Sequence, residues 1–297
     1  MAKAKSASRI IAEKTVFAMF KILKEGGQMP GREVIDRIRK VVTFNDYETH
    51  IFEKTGYVRW ESVLHFYTID CIKAGLMTKE NGLWALTEEG QKAIKIGPEG
   101  LFDLAKNKYK EWSAGRGAKE GAEIISADEE IVTQNAILSQ FEDKATDGIR
   151  EYILAKGPYD FQQLVSFLLA AMGYFISHIA EKGPDGGIDI IAYNDPLGTK
   201  EPRLIVQVKH RPDAKVPSDD IQKLVGTMKR NSDVGIFVTS GLFSSVAVRE
   251  ARSSHKHIEL IDLGRFISLW KEYYHKMNDE QRNALPLKAI YFLGSNE

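Results

Sequence analysis

Between Gly183 and Arg211 the chain reads GPDGGIDIIAYNDPLGTKEPRLIVQVKHR, and three polar side chains in it can do chemistry together. The turn residues Asp195, Pro196 and Gly198 separate two short apolar runs, so the stretch predicts strands at Ile188–Tyr193 and Leu204–His210. Period-2 alternation sends Leu204, Val206 and Val208 to one face and Ile205, Gln207 and Lys209 to the other. Asp189 interrupts the first strand and can converge with Gln207 and Lys209. A carboxylate oxygen of Asp189, the amide oxygen of Gln207 and the backbone carbonyl of Val208 suit a hard divalent cation. Mg²⁺ in particular takes one or two protein oxygens and keeps its waters, and Mn²⁺ fits the same donors. Lys209 beside them can orient or deprotonate a water and offset transition-state charge. Together these groups suit hydrolysis of a phosphodiester. The plainer alternative is an edge strand with one wet face, beside an Asp189 that caps the Gly186-Gly187 turn.

The surrounding elements must hold those residues in place. Asp160–Met172 has a strong helical stripe through Phe161, Leu164, Val165, Leu168 and Leu169 and stops at Gly173. A strand at Tyr174–Ala180 follows. Downstream lie a helix at Ser218–Arg230, expected to be capped by Ser218, and a nearly all-apolar strand GIFVT at 235–239, which implies burial on both faces. A helix at Ser244–His255, a strand at Ile258–Asp262 and a helix at Gly264–Tyr274 complete the run. The order α-β-β-β-α-β-α-β predicts a mixed α/β sheet domain over 157–297.

Upstream, apolar residues at helical spacing predict helices over Glu13–Glu25, from Pro30-Gly31 to Val41, and from Trp60 to Ile72. Asn81-Gly82 between two short apolar runs predicts a hairpin with a type I′ turn. Thr87 then caps a helix that begins Glu88-Glu89. Three helices and a hairpin predict a mainly α winged-helix domain over 1–96. Residues 97–156 read as a helical bridge, with a helix at Pro98–Trp112, a Gly-rich linker at Ser113–Gly121, and helices at Asp128–Phe141 and Thr146–Ala155.

At 297 residues the chain has room for two cores. Forty-one basic and 41 acidic residues cancel, which argues against a chain that coats nucleic acid indiscriminately. The balance hides a segregation: bases dominate 200–256 and acids dominate 120–151. A single cysteine, Cys71, excludes an internal disulfide and a thiolate zinc cluster, and its helical setting predicts a core residue. No run is long enough for a membrane span, and the start, MAKAKSASR, has no apolar stretch after its basic residues; a cytoplasmic protein is expected.

Two regions resemble the parts of one family. KAGLMTKENGLWALTEEGQKAI, within 14–96, is similar to the N-terminal domain of Mrr-type restriction proteins. YDFQQLV, DGGID, QVK and GIFVTSGLFS, in that order within 157–270, resemble the Mrr catalytic branch of the PD-(D/E)xK nucleases. The resemblance implies a metal-dependent restriction endonuclease with Asp189, Gln207 and Lys209 as catalytic residues and Asp189, Gln207 and Val208 as metal ligands. It adds Gln162 to the catalytic set, where the branch often carries Glu; the neutral side chain argues against a second metal. Gln207 replaces the acid usual in the superfamily, as is common in the branch. Double-stranded DNA is the expected partner, with Arg59, Lys73, Lys79, Lys92, His210 and Arg211 as candidate contacts. Cutting both strands with one site per chain implies a homodimer. Two other functions fit the same residues: a DNA-binding or regulatory protein with an inactive nuclease-like domain, and a structure-specific nuclease for junctions or repair.

Overall fold

A computed structural model describes residues 5–53, 56–114, 134–181 and 187–290. The chain divides into two units, Met1–Asp147 and Gly148–Glu297. Gly186 of the expected Gly186-Gly187 turn, most of the linker and the first part of the expected helix at Asp128–Phe141 lie outside the described residues.

The first unit opens with α1 (Ala7–Gly26). The basic start yields to helix early because the Ser6 side chain accepts a hydrogen bond from the Arg9 N–H. The short strand β1 (Met29–Pro30) leads into α2 (Gly31–Val41). An Asn45/Glu48 capping box then fixes the single turn α3 (Asp46–Thr49). Helix α4 (Arg59–Lys73) precedes a hairpin of β2 (Met77–Glu80) and β3 (Leu83–Leu86). Asn81 and Gly82 take φ of 55° and 74°, the positive values a type I′ turn requires. β3 pairs with both neighbours, giving an antiparallel sheet in the order β1-β3-β2. Thr87 caps α5 (Glu88–Ala93) by accepting from the Gly90 N–H. A side chain at Gly90 would collide with the Leu76 carbonyl. Trp60, Trp84, Phe20 and Leu64 centre the core. Helix α6 (Gly97–Ala114) adds Leu101, Phe102 and Ala105 to that core, so the first part of the expected bridge is packed into this unit. Cys71 is buried there as expected, and burial pushes its thiol well above the ordinary range.

The two helices expected over 128–155 are one, α7 (Gln134–Leu154), and the division between units falls inside it. The expected gap at 142–145 holds Glu, Asp, Lys and Ala, none of which breaks a helix, and Gly148 further on costs only about 1 kcal/mol in a helix interior.

In the second unit, Gly157 caps α8 (Pro158–Ala171). Asp160 sits three residues into the helix and reaches back to accept from the Gly157 N–H. Then come β4 (Phe175–Ile179), β5 (Ile190–Tyr193), β6 (Leu204–Lys209), β7 (Lys215–Val216), α9 (Ser218–Thr227), β8 (Val234–Thr239), β9 (Leu242–Phe243), α10 (Ser245–Ser253), β10 (Ile258–Ile261), α11 (Leu263–Tyr273) and α12 (Asp279–Ala284). Pro217, not Ser218, holds the cap position of α9. The main sheet runs β10-β8-β6-β5-β4. β4, β5 and β6 are antiparallel, whereas β6, β8 and β10 are parallel, giving the mixed sheet expected from the element order.

Each face of this sheet has its own core. Leu204, Val206 and Val208 pack with α8 and α11 through Phe161, Leu164, Phe266 and Trp270. Ile205 and Phe237 pack with α9 and α10 through Ile221, Leu224, Ala247 and Ala251. The alternation read from the sequence of β6 is therefore its alternation between two cores. At the N-terminal end of β6, Arg203 forks onto Asp233 at 2.9 and 2.7 Å and closes that end of the sheet. Among the described residues no helix is long and apolar enough to cross a membrane.

Candidate active site

β6 lies in the middle of the five-stranded sheet, not at its edge, so a wet face does not explain its polar residues. Gln207 is 5% exposed and Asp189 7%. Burying polar groups this deeply costs free energy unless something compensates.

Asp189 stands one residue before β5. Its N–H donates to the Val206 carbonyl at 2.9 Å and its carbonyl accepts from the Ala180 N–H at 2.8 Å. Its side-chain Oδ2 accepts from the Val208 N–H at 2.8 Å, as a ladder partner would. A strand residue turns its N–H and C=O toward the same neighbour, so the Val208 carbonyl faces the Asp189 side too. Continuing the β5–β6 register by one step sets Asp189 beside Gln207.

Gln207 Oε1 is buried and accepts no hydrogen bond from any described residue. An unmet acceptor of this kind costs about 1–3 kcal/mol. Its donor chemistry fits a hard cation shared with the Asp189 carboxylate and the Val208 carbonyl. Among the described residues no group of three His, Cys, Asp or Glu could hold a metal. A cation here would therefore depend on one carboxylate, neutral oxygens and oxygens from its substrate, which is the ligand economy of Mg²⁺.

Lys209 follows on the face of Gln207 and is half-buried. Its carbonyl accepts from the Ser240 N–H (3.1 Å), the Thr239 hydroxyl (3.1 Å) and the Arg211 N–H (3.2 Å). Thr239 Oγ1 in turn accepts from the Gly241 N–H. A side chain at Gly241 would meet the carbonyls of Arg211 and Ala214, so glycine lets the 211–214 turn close against the end of β8. Thr239, Ser240 and Gly241 thus hold the backbone of Lys209, a role not assigned from the sequence. The available signal was a small polar triplet at the C-terminal end of a parallel strand, where α/β sheets place ligands.

Gln162 binds the backbone next to Asp189's own partner. It is buried on α8, and its Nε2 donates to the Ala180 carbonyl at 2.9 Å, while the Ala180 N–H binds the Asp189 carbonyl. It thereby acts on Asp189 through the backbone of residue 180. His210 lies against the Phe161 ring, centroids 5.1 Å apart, with a buried Nδ1 that has no described partner. Arg211 is exposed, 4.0 Å from Asp220.

The candidate contacts of the first unit are mostly engaged. The Arg59 guanidinium sits 3.9 Å over the Tyr47 ring and 5.1 Å from that of Phe52, and its Nε is buried. Lys73 is exposed with its ammonium over Trp112, and Lys92 is exposed. The Lys79 ammonium is bound to Asp143 and Ser139, both at 2.7 Å, in this structure.

Residues 153–270 match the family described as "Restriction endonuclease", and residues 13–95 match the "Mrr N-terminal domain". No curated protein matches the sequence. Two solved structures are similar. One is titled "MspJI Restriction Endonuclease in Complex with 27-mer Oligonucleotide", at 18% identity and a TM-score of 0.34, with 68% of this chain and 47% of that one covered. The other, "DNA modification-dependent restriction endonuclease AspBHI", has 18% identity and a TM-score of 0.37, with 68% and 54% covered. The chain thus spans about half the length of each.

Proposed function

We propose, for a chain that belongs to the Mrr-type restriction endonucleases by both of its domains, that it hydrolyses phosphodiester bonds of double-stranded DNA with Mg²⁺. The carrying observation is the buried Gln207 Oε1 that no described residue satisfies, on a central strand whose next residue, Val208, donates its N–H to the Asp189 carboxylate. Asp189, Gln207 and the Val208 carbonyl would hold the cation, which supplies charge neutralisation at the phosphoryl oxygens and a more acidic bound water. Lys209 orients the attacking water and offsets charge on the pentavalent phosphorus. The donors on its carbonyl fix where its side chain starts, and Gln162 fixes Asp189 through Ala180. His210 and Arg211 extend this edge toward the DNA backbone. The first unit, read as a winged helix, contributes to holding the duplex. One site serves one strand, so a double-strand cut calls for a homodimer.

The test is nicking of supercoiled plasmid with and without Mg²⁺ by the wild type and Asp189→Asn. Cation-dependent nicking by the wild type alone is expected. Equal nicking by both proteins, or nicking undiminished in EDTA, removes Asp189 and the cation from the mechanism.

A further inference from the structure

Residues 138–147 of α7 cover part of the hairpin and meet α4, the elements a winged helix would offer to a duplex, while Thr78, Glu80 and Asn81 of the hairpin stay exposed. Thr146 is buried, its methyl close enough to Gly82 that a Cβ on the turn would lie 2.7 Å away. Phe141 sets its ring edge-on to Tyr57 at 6.0 Å, and the Lys144 ammonium lies 3.9 Å over the same ring. Asp143 and Ser139 take the Lys79 ammonium of β2, and Asp143 Oδ2 comes within 3.4 Å of His65 Nδ1 on α4. Along α4 only Lys73 remains exposed.

This seam is poorly satisfied for a structural one. His65 Nδ1 is buried without a hydrogen bond, and burial aided by Lys79 and Lys144 pushes the imidazole down to about 3, so it stays neutral beside a carboxylate. Burial also pushes Asp143 up to about 6, against the pull of Lys79. Both groups would be relieved by lifting this part of α7. A carboxylate held on a lysine of a hairpin has the charge and hydrogen-bonding capacity of a DNA phosphate oxygen at the same place.

We infer that residues 138–147 of α7 act as an internal competitor of DNA, with Asp143 occupying the Lys79 position that a backbone phosphate takes when this part of the helix lifts. The inference rests on the reading of the chain as a DNA-acting protein and adds how its first unit is held closed.

The experiment measures binding of a fluorescent duplex by the full chain in EDTA, across a salt series, so that cleavage plays no part. Asp143→Asn keeps the shape and removes the charge. It should tighten binding about tenfold and steepen the log K against log salt slope by about one, the signature of one more phosphate contact. Adding Lys79→Ala should return both quantities to wild type. Unchanged or weaker binding by a folded Asp143→Asn overturns the inference, as does a gain that survives Lys79→Ala. Phe141→Ala, at an exposed position of the seam, is a second route: it should raise amide exchange over 138–147 and tighten binding, and faster exchange without tighter binding also overturns the inference. Any of these failures alongside intact magnesium-dependent plasmid nicking leaves the nuclease reading standing.

Discussion

Replacing Gln207 by Met separates the cost of the site from its use. Met has nearly the volume and flexibility of Gln but no acceptor, so it deletes the buried Oε1 that no described residue satisfies. Removing an orphaned acceptor without opening a cavity returns part of its desolvation cost, about 1–2 kcal/mol of the 1–3 kcal/mol such groups carry. For a unit the size of Gly148–Glu297, that is a rise in Tm of about 2–8 °C in EDTA. Magnesium should act oppositely on the two proteins. Tenfold above its Kd, a cation bound only by the folded state stabilises the wild type by about 1.4 kcal/mol, and Gln207→Met should lose most of that gain. Gln207→Glu completes the series: a second buried carboxylate lowers Tm in EDTA and enlarges the magnesium response. Scanning calorimetry with EDTA and with a magnesium titration reads all three proteins. A Gln207→Met protein that melts below wild type in EDTA, or responds to magnesium as wild type does, refutes the assignment of Oε1 as a waiting ligand.

Thr239→Val should cost about 1–2 kcal/mol, because the Lys209 carbonyl loses a donor and the Gly241 N–H loses its acceptor. Cleavage should fall more than DNA binding, and Thr239→Ser should restore both, as denaturant melts and single-turnover kinetics would report. Asp70 is buried on α4, and burial pushes its carboxyl up to about 6, only partly opposed by Lys106. A carboxyl raised on folding weakens the fold progressively as pH rises from about 4 to about 6 and leaves a constant deficit above. Asp70→Asn should therefore stabilise at pH 8 by on the order of 2–3 kcal/mol and leave stability near pH 4 unchanged, measured by urea melts at the two pH values.

The order of elements was legible because local chemistry set it: the Asn81-Gly82 turn, the Thr87 cap and the apolar stripe of α8 are each written within a few residues. The faces of β6 were legible for the same reason. The joining of two expected helices into α7 was not, because the polar stretch Glu142-Asp143-Lys144 between them carries no apolar stripe and only its surroundings decide. The pairing of Lys79 with Asp143 joins residues 64 positions apart, and no spacing rule reaches that far. The alternation that sets Gln207 and Lys209 on one face of β6 was readable, as was Asp189 as a break in an apolar run. The backbone task of Gln162, through the carbonyl of Ala180, was not, because it depends on where two distant chain segments end. Whether Gln207 lay on a wet edge or in a core was likewise decided by the strands on either side of β6.

The central claim is that Lys209 serves the chemical step. Its most direct test measures, in one magnesium-containing sample, the Kd for a labelled duplex and the single-turnover cleavage rate of wild type and Lys209→Ala. Loss of a group that acts in the transition state should lower the rate by about 10²-fold or more, with Kd moving no more than about threefold. Equal rates, or a rate loss matched by the loss of binding, would contradict it.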